Sequence, residues 1–173
     1  GTELRYRDVR KFGTMHLFAP GEEQTELPLR QLGPEPFSGE FTIRYLRERL
    51  KKTSRSVKTA LLDQRTVVGL GNIYVDEALF RAGIHPETAA NKLTKKQTAL
   101  LHDEIVKTLK EAVEAGGSTV RSYINSQGEI GMFQLKLYVY GRKDEPCKKC
   151  GSAIEKTVVG GRGTHFCTKC QKK

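Results

Sequence analysis

Four cysteines near one end of the chain restrict its folding more than any other feature. Cys147-x2-Cys150 and Cys167-x2-Cys170 are separated by sixteen residues. Two residues between cysteines let both thiolates reach one metal from a tight knuckle, and two knuckles complete a tetrahedron. A disulfide framework fits poorly, because nothing suggests secretion and the chain is otherwise well supplied with core residues. The spacing predicts one structural zinc ion bound by Cys147, Cys150, Cys167 and Cys170. Four protein ligands leave no open position for water, so the metal is architectural. His165 could in principle replace a cysteine, but four thiolates suffice, and it reads as a hairpin residue.

Between the knuckles lies "EKTVVGGRGTHF", residues 155–166. A zinc site this small holds a β-hairpin, with "IEKTVV" and "THFC" as strands and "GGRG" as the turn. Glycines permit positive φ and close approach to a partner. Arg162 at the tip can then make a bidentate contact to a phosphate. The plain alternative is a solvated turn arginine. Surrounding charge favours the phosphate reading: residues 134–173 carry ten Lys/Arg against three Asp/Glu, so +7 of the formal +10 lies there.

With 173 residues the chain suits one domain or two small ones. No apolar run approaches the ~18 residues of a membrane span, and no signal-peptide pattern is present. The expectation is a cytoplasmic protein without a membrane partner.

Leu4, Tyr6 and Val9 alternate with polar residues, so residues 1–18 read as two strands joined near Gly13. A strand needs neighbours, and the expectation is that the chain is part of a larger protein. Residues 19–40 form a proline- and glycine-broken connector. Helices are expected over 41–52, over 54–64 with Ser54 as N-cap, over about 72–82 with Asn72 as N-cap and Gly83 at C′, and from Thr94 to about Ala115. Thr94-x-x-Gln97 predicts a capping box. Residues 41–133 thus form a four-helix domain ending in a loop over 118–131. "QLKLYVYGR" (134–142) reads as a strand leading into the zinc domain, residues 134–173.

Two further constellations carry possible chemistry. Gly69-Leu70-Gly71-Asn72 at a helix start is a candidate anion site, although a structural cap explains it equally well. Lys58, on the preceding helix, could add a cation there or be an ordinary surface lysine. In "RDVRKFG" (7–13), Arg10 and Phe12 point to one face of an extended segment. An arginine beside an aromatic suits insertion into stacked bases, and the competing reading of Phe12 is core.

"DVRKFG", "VVGLGNIYVDEALFRAGIHP", "GGSTVRSYINSQG", "YVYGR" and "CKKCG…EKTVVGGRGTHFCTKC" follow one another in an order that resembles the C-terminal part of bacterial formamidopyrimidine-DNA glycosylases. These base-excision repair enzymes remove oxidised purines such as 8-oxoguanine and formamidopyrimidines. The resemblance covers essentially the whole chain. It implies a mainly α fold with small β: a helix–two-turn–helix four-helix core, a C-terminal zinc-finger β-hairpin, and a remnant of an N-terminal β-sandwich domain before them. The partner it implies is double-stranded DNA with an oxidised purine or abasic site, bound by a monomer in the bacterial cytoplasm and associated with the nucleoid. Asn72 and Lys58 would bind phosphates flanking the lesion. Arg162 would grip a phosphate and assist elimination. Arg10 would take the place of the flipped nucleotide while Phe12 wedges between bases. A loop with Arg121 and Tyr123 would cover the everted base.

One departure bears on catalysis. The family's nucleophile is an N-terminal proline amine in a "PELPEVE"-type start, which "GTEL" does not resemble. The expectation is a parent that is a bifunctional glycosylase and abasic-site lyase, and a chain that binds DNA without cleaving it. A non-catalytic zinc-finger binding or interaction module is the alternative.

Overall fold

The computed structural model describes residues 1–6, 8, 11–23, 25–118 and 132–173. The chain divides into two units, Gly1–Gln31 and Leu32–Lys173. The first unit holds a single 3-10 turn at Leu29–Gln31 and, among its described residues, no strand. Of the two strands expected over 1–18, none is formed among the described residues of that span. A strand is held by a ladder of backbone bonds, and alternation alone supplies no partner. Leu4, Phe12 and Leu17 are correspondingly exposed.

The second unit is built on four helices: α1 (Ile43–Lys51), α2 (Val57–Leu62), α3 (Asn72–Arg81) and α4 (Lys95–Glu114). Their boundaries follow from capping chemistry. Thr42 accepts from the Tyr45 N–H at the start of α1. Thr94 and Gln97 form the reciprocal capping box of α4. α2 is capped by Ser56, through the Thr59 N–H, and not by Ser54. Ala82 caps the C-terminal end of α3, and Gly83 follows with φ +67°, a left-handed conformation that glycine adopts without steric cost.

Leu46, Leu50, Leu61, Leu79, Leu101 and Ile105 meet in one apolar core between these helices. Each is at most 2 % exposed. A second, smaller cluster of Phe80, Val139 and Ile154 includes the buried Cys147 and Cys167. Beyond it, β1 (Glu155–Val159) and β2 (Arg162–Phe166) pair antiparallel, with Val159 opposite Arg162. The turn is therefore Gly160-Gly161 alone, at φ +57° and +75°. Two successive positive φ values match the twist of a two-residue hairpin, and glycine provides them. Arg162 begins β2 and does not sit in the turn.

Residues 134–142 are not a strand. A 3-10 turn covers Phe133–Lys136, and the Tyr138, Val139 and Tyr140 N–H groups all donate to the Glu77 carboxylate, at 2.8–2.9 Å. The apolar alternation instead marks Leu137 and Val139 as buried and Leu135 as exposed.

Candidate nucleic-acid interface and metal centre

The Sγ atoms of Cys147, Cys150, Cys167 and Cys170 lie within 4.8 Å of one another. The Cys147–Cys170 and Cys150–Cys167 separations are 3.9 and 3.5 Å. Zinc–sulfur bonds of about 2.3 Å give a tetrahedron with edges of about 3.8 Å, so the four thiolates fit one zinc ion. Each knuckle is closed by its own turn: the Gly151 N–H donates to the Cys147 carbonyl, and the Gln171 N–H to that of Cys167. His165 is outside the cluster. Its ring packs edge-on to Tyr140 at 5.0 Å.

The hairpin is fastened to the helices by buried polar groups. Lys58, expected at the surface, is fully buried. Its Nζ donates to Asp76 Oδ1 at 2.6 Å and to the Gly163 carbonyl at 3.1 Å. In this position the ammonium faces Asp76 and the hairpin backbone and is not open to solvent. Burial pulls its ammonium below the ordinary lysine range, the Asp76 carboxylate opposes that shift, and the neighbouring Arg162 cation adds to it. Asp76 Oδ2 accepts the His165 N–H at 2.9 Å, so one carboxylate joins α2, α3 and β2. Gln171 works at the far end. Its Oε1 accepts the Cys167 N–H while its Nε2 donates to the Ile84 carbonyl.

Asn72 is the first residue of α3, and Gly71 occupies the cap position with no side-chain hydrogen bond. Freed from capping, Asn72 Nδ2 donates to the same Gly163 carbonyl at 3.0 Å. Its Oδ1 is buried without a partner. The start of α3 thus offers unsatisfied N–H groups and the positive end of a ten-residue helix dipole. The side chain of Arg162, the residue beside Gly163, is exposed and makes no side-chain hydrogen bond or ion pair among the described residues; its carbonyl accepts from the Thr164 hydroxyl at 2.9 Å. Gly160 approaches α2 so closely that a Cβ there would fall 2.7 Å from Thr59 Oγ1. Hairpin tip and helix start therefore form one electropositive corner, suited to an anion with several acceptor oxygens.

Of the residues singled out by sequence, the structure brings together Lys58, Asn72, Arg162 and the four cysteines. Phe12 is exposed in the first unit. Arg10, Arg121, Tyr123 and all of the loop beyond Ser118 up to Gly131 lie outside the described residues. Sequence reasoning missed Asp76, Glu77 and Gln171 as fasteners. The available signal was an adjacent acidic pair inside the apolar run "IYVDEALF". Two buried carboxylates in one helix need partners from another part of the chain.

Fold and site define a class: a helical body carrying a four-cysteine zinc hairpin, with a cationic corner where the two meet. Residues 32–124 match the family described as formamidopyrimidine-DNA glycosylase H2TH domain, and residues 144–173 the zinc finger found in FPG and IleRS. The chain is 91% identical over its full length to the formamidopyrimidine-DNA glycosylase of Bacillus licheniformis and 76% identical to that of Bacillus subtilis. It spans 63% of the length of each. Among solved structures, a complex of Lactococcus lactis Fpg with abasic-site DNA superimposes with a TM-score of 0.90 at 45% identity, over 97% of this chain and 62% of that one. MutM (Fpg) of Thermus thermophilus gives 0.83 at 46%, over 87% and 58%. The chain belongs to the formamidopyrimidine-DNA glycosylase family. No helix among its described residues is long and apolar enough to cross a membrane.

Proposed function

We propose that this chain is the DNA-gripping part of a base-excision repair glycosylase and abasic-site lyase that acts on oxidised purines in duplex DNA, and that alone it binds without cleaving. The observation that carries the reading is Arg162, exposed and unpaired, held beside the uncapped start of α3 by the shared Gly163 carbonyl. A backbone phosphate seated there would accept from α3 N–H groups and from the guanidinium together. Asn72 contributes through its backbone, since its side-chain amide is committed to the hairpin. Lys58 acts as a positioning residue. Arg10 and Phe12 are assigned to the gap left by the extruded nucleotide, and Arg121 and Tyr123 to the neighbourhood of the everted base. Extrusion costs a few kcal/mol, which these contacts offset. The protein is taken to act as a monomer in the bacterial cytoplasm.

The test is a salt series on intact and abasic-site duplexes with wild type and Arg162→Ala. The substitution is expected to weaken binding and lower the salt slope by about one unit, with the thermal midpoint unchanged. An unchanged slope would make Arg162 a solvated residue and remove the phosphate assignment.

A further inference from the structure

A second cationic surface lies on α1. A groove of about 890 Å³ is lined by Ile43, Arg44, Arg47, Glu48, Lys51, Lys52 and Lys95. Five cations face one carboxylate, and that carboxylate already pairs with Arg44 at 3.0 Å. Lys51 Nζ donates to the Asn91 carbonyl. The side chains of Arg47, Lys52 and Lys95 are exposed and have no hydrogen bond or ion pair among the described residues. Residues 44, 47, 48 and 51 share one face of the helix, so the charges form a row about 10 Å long. That is the length of about three residues of extended chain.

One lining residue of the groove is apolar. Ile43, 36% exposed, lines the groove together with the cations. Lys95, which lines the groove, is followed by Lys96 at the start of α4, whose first turn contains no acid. Cations there oppose the helix dipole, a local arrangement that brings no internal gain and favours an anion from outside. The surroundings are also different from those of the phosphate corner. α1 packs mainly on α4 and on the 3-10 turn at Ala90–Lys92, whereas the hairpin packs on α3.

We propose that this groove docks a short acidic peptide of a partner protein, with one apolar side chain resting on Ile43 and carboxylates paired to Arg47, Lys52 and Lys95. The exposed Ile43 among the cations favours a peptide over a second duplex, whose phosphate rail offers no apolar group to cover it. Glu48 in the middle of the row also repels a continuous phosphate rail, while a peptide can place its apolar residue there.

Fluorescence anisotropy with a labelled peptide of aspartates around a central leucine tests this on the whole chain. Wild type is expected to bind at low salt. Arg47→Glu and Lys95→Glu should each weaken binding about tenfold, since like charges then face each other. Replacing the leucine of the probe with alanine should weaken it several-fold. Lys95→Glu puts an acid in the first turn of α4, so its thermal midpoint should hold or rise, which separates lost docking from lost folding. Binding of abasic-site duplex should be unchanged in both variants. No peptide binding by wild type, or binding indifferent to both substitutions, would overturn the proposal. So would a duplex that displaces the peptide and loses affinity to the same two variants, because the groove would then be a nucleic-acid surface.

Discussion

The helical body and the zinc hairpin are held by different forces. In the body, Leu46, Leu61, Leu79, Leu101 and Ile105 are removed from water against one another, a non-directional stabilisation of about 25 cal/mol per Å². The hairpin has ten strand residues, of which only Thr164, His165, Phe166 and Val159 are buried. It depends on four thiolates and on directional bonds from Lys58, Asn72, Asp76 and Gln171. An apolar core degrades gradually as atoms are removed. A metal site with buried charge pairs fails when one member is lost.

The sharpest way to separate the two is to remove the metal. Apparent zinc-binding energies of about 10 kcal/mol or more are folding energy in sites of this kind. A strong chelator, or Cys147→Ser with Cys170→Ser, should abolish amide protection over 155–166 while leaving helical circular dichroism largely intact. A hairpin that stays protected without metal would refute that division. Lys58→Met comes next, because it leaves Asp76 buried and uncompensated at a cost of about 3–5 kcal/mol. The loss should appear first as hairpin amide exchange, and Lys58→Met/Asp76→Leu should recover part of it. Equal loss in the single and double variants would mean that the pair has no coupling. Leu61→Ala should cost about 2–5 kcal/mol and lower the melting of helices and hairpin together. If only the hairpin were affected, the two cores would not be distinct.

The smallest effect concerns acid. Arg81 donates to Glu111 across α3 and α4 at 2.8 Å and holds the Glu111 carboxyl below its usual range. A depressed carboxyl stabilises the fold above its unfolded pKa and loses that contribution as pH falls through the lower folded value. Stability should therefore drop below about pH 4.5 by under about 1 kcal/mol more in wild type than in Glu111→Gln. Parallel acid curves would leave the pair without weight.

The same contrast explains what could be read in the sequence. Helical spacing, the Thr94 capping box, Gly83 and the cysteine spacing are local signals, and each leads to the structure found. Ser54 and Ser56 compete for one cap in "SRS", and tertiary packing of Val57 decides between them. Residues 134–142 alternate as a strand would but do not form one, because the N–H groups of Tyr138, Val139 and Tyr140 go to one carboxylate sixty-one to sixty-three residues away in sequence. Lys58 was illegible for the same reason. A cation within "VKTALL" normally faces water, and its second acceptor lies 105 residues further on.

Helix α3 sets Asn72, Asp76 and Glu77 at fixed intervals on one rod, and each reaches a different part of the zinc unit or its approach. Spacing along that rod is therefore a kind of reading frame. Inserting one residue between Asn72 and Asp76 would rotate everything beyond it by about 100°. Asp76 would leave His165 and Lys58, and Glu77 would leave the segment at 138–140. Within α3, side chains can be exchanged one at a time, but its length cannot drift, and descendants of this gene should show substitutions there long before they show gaps.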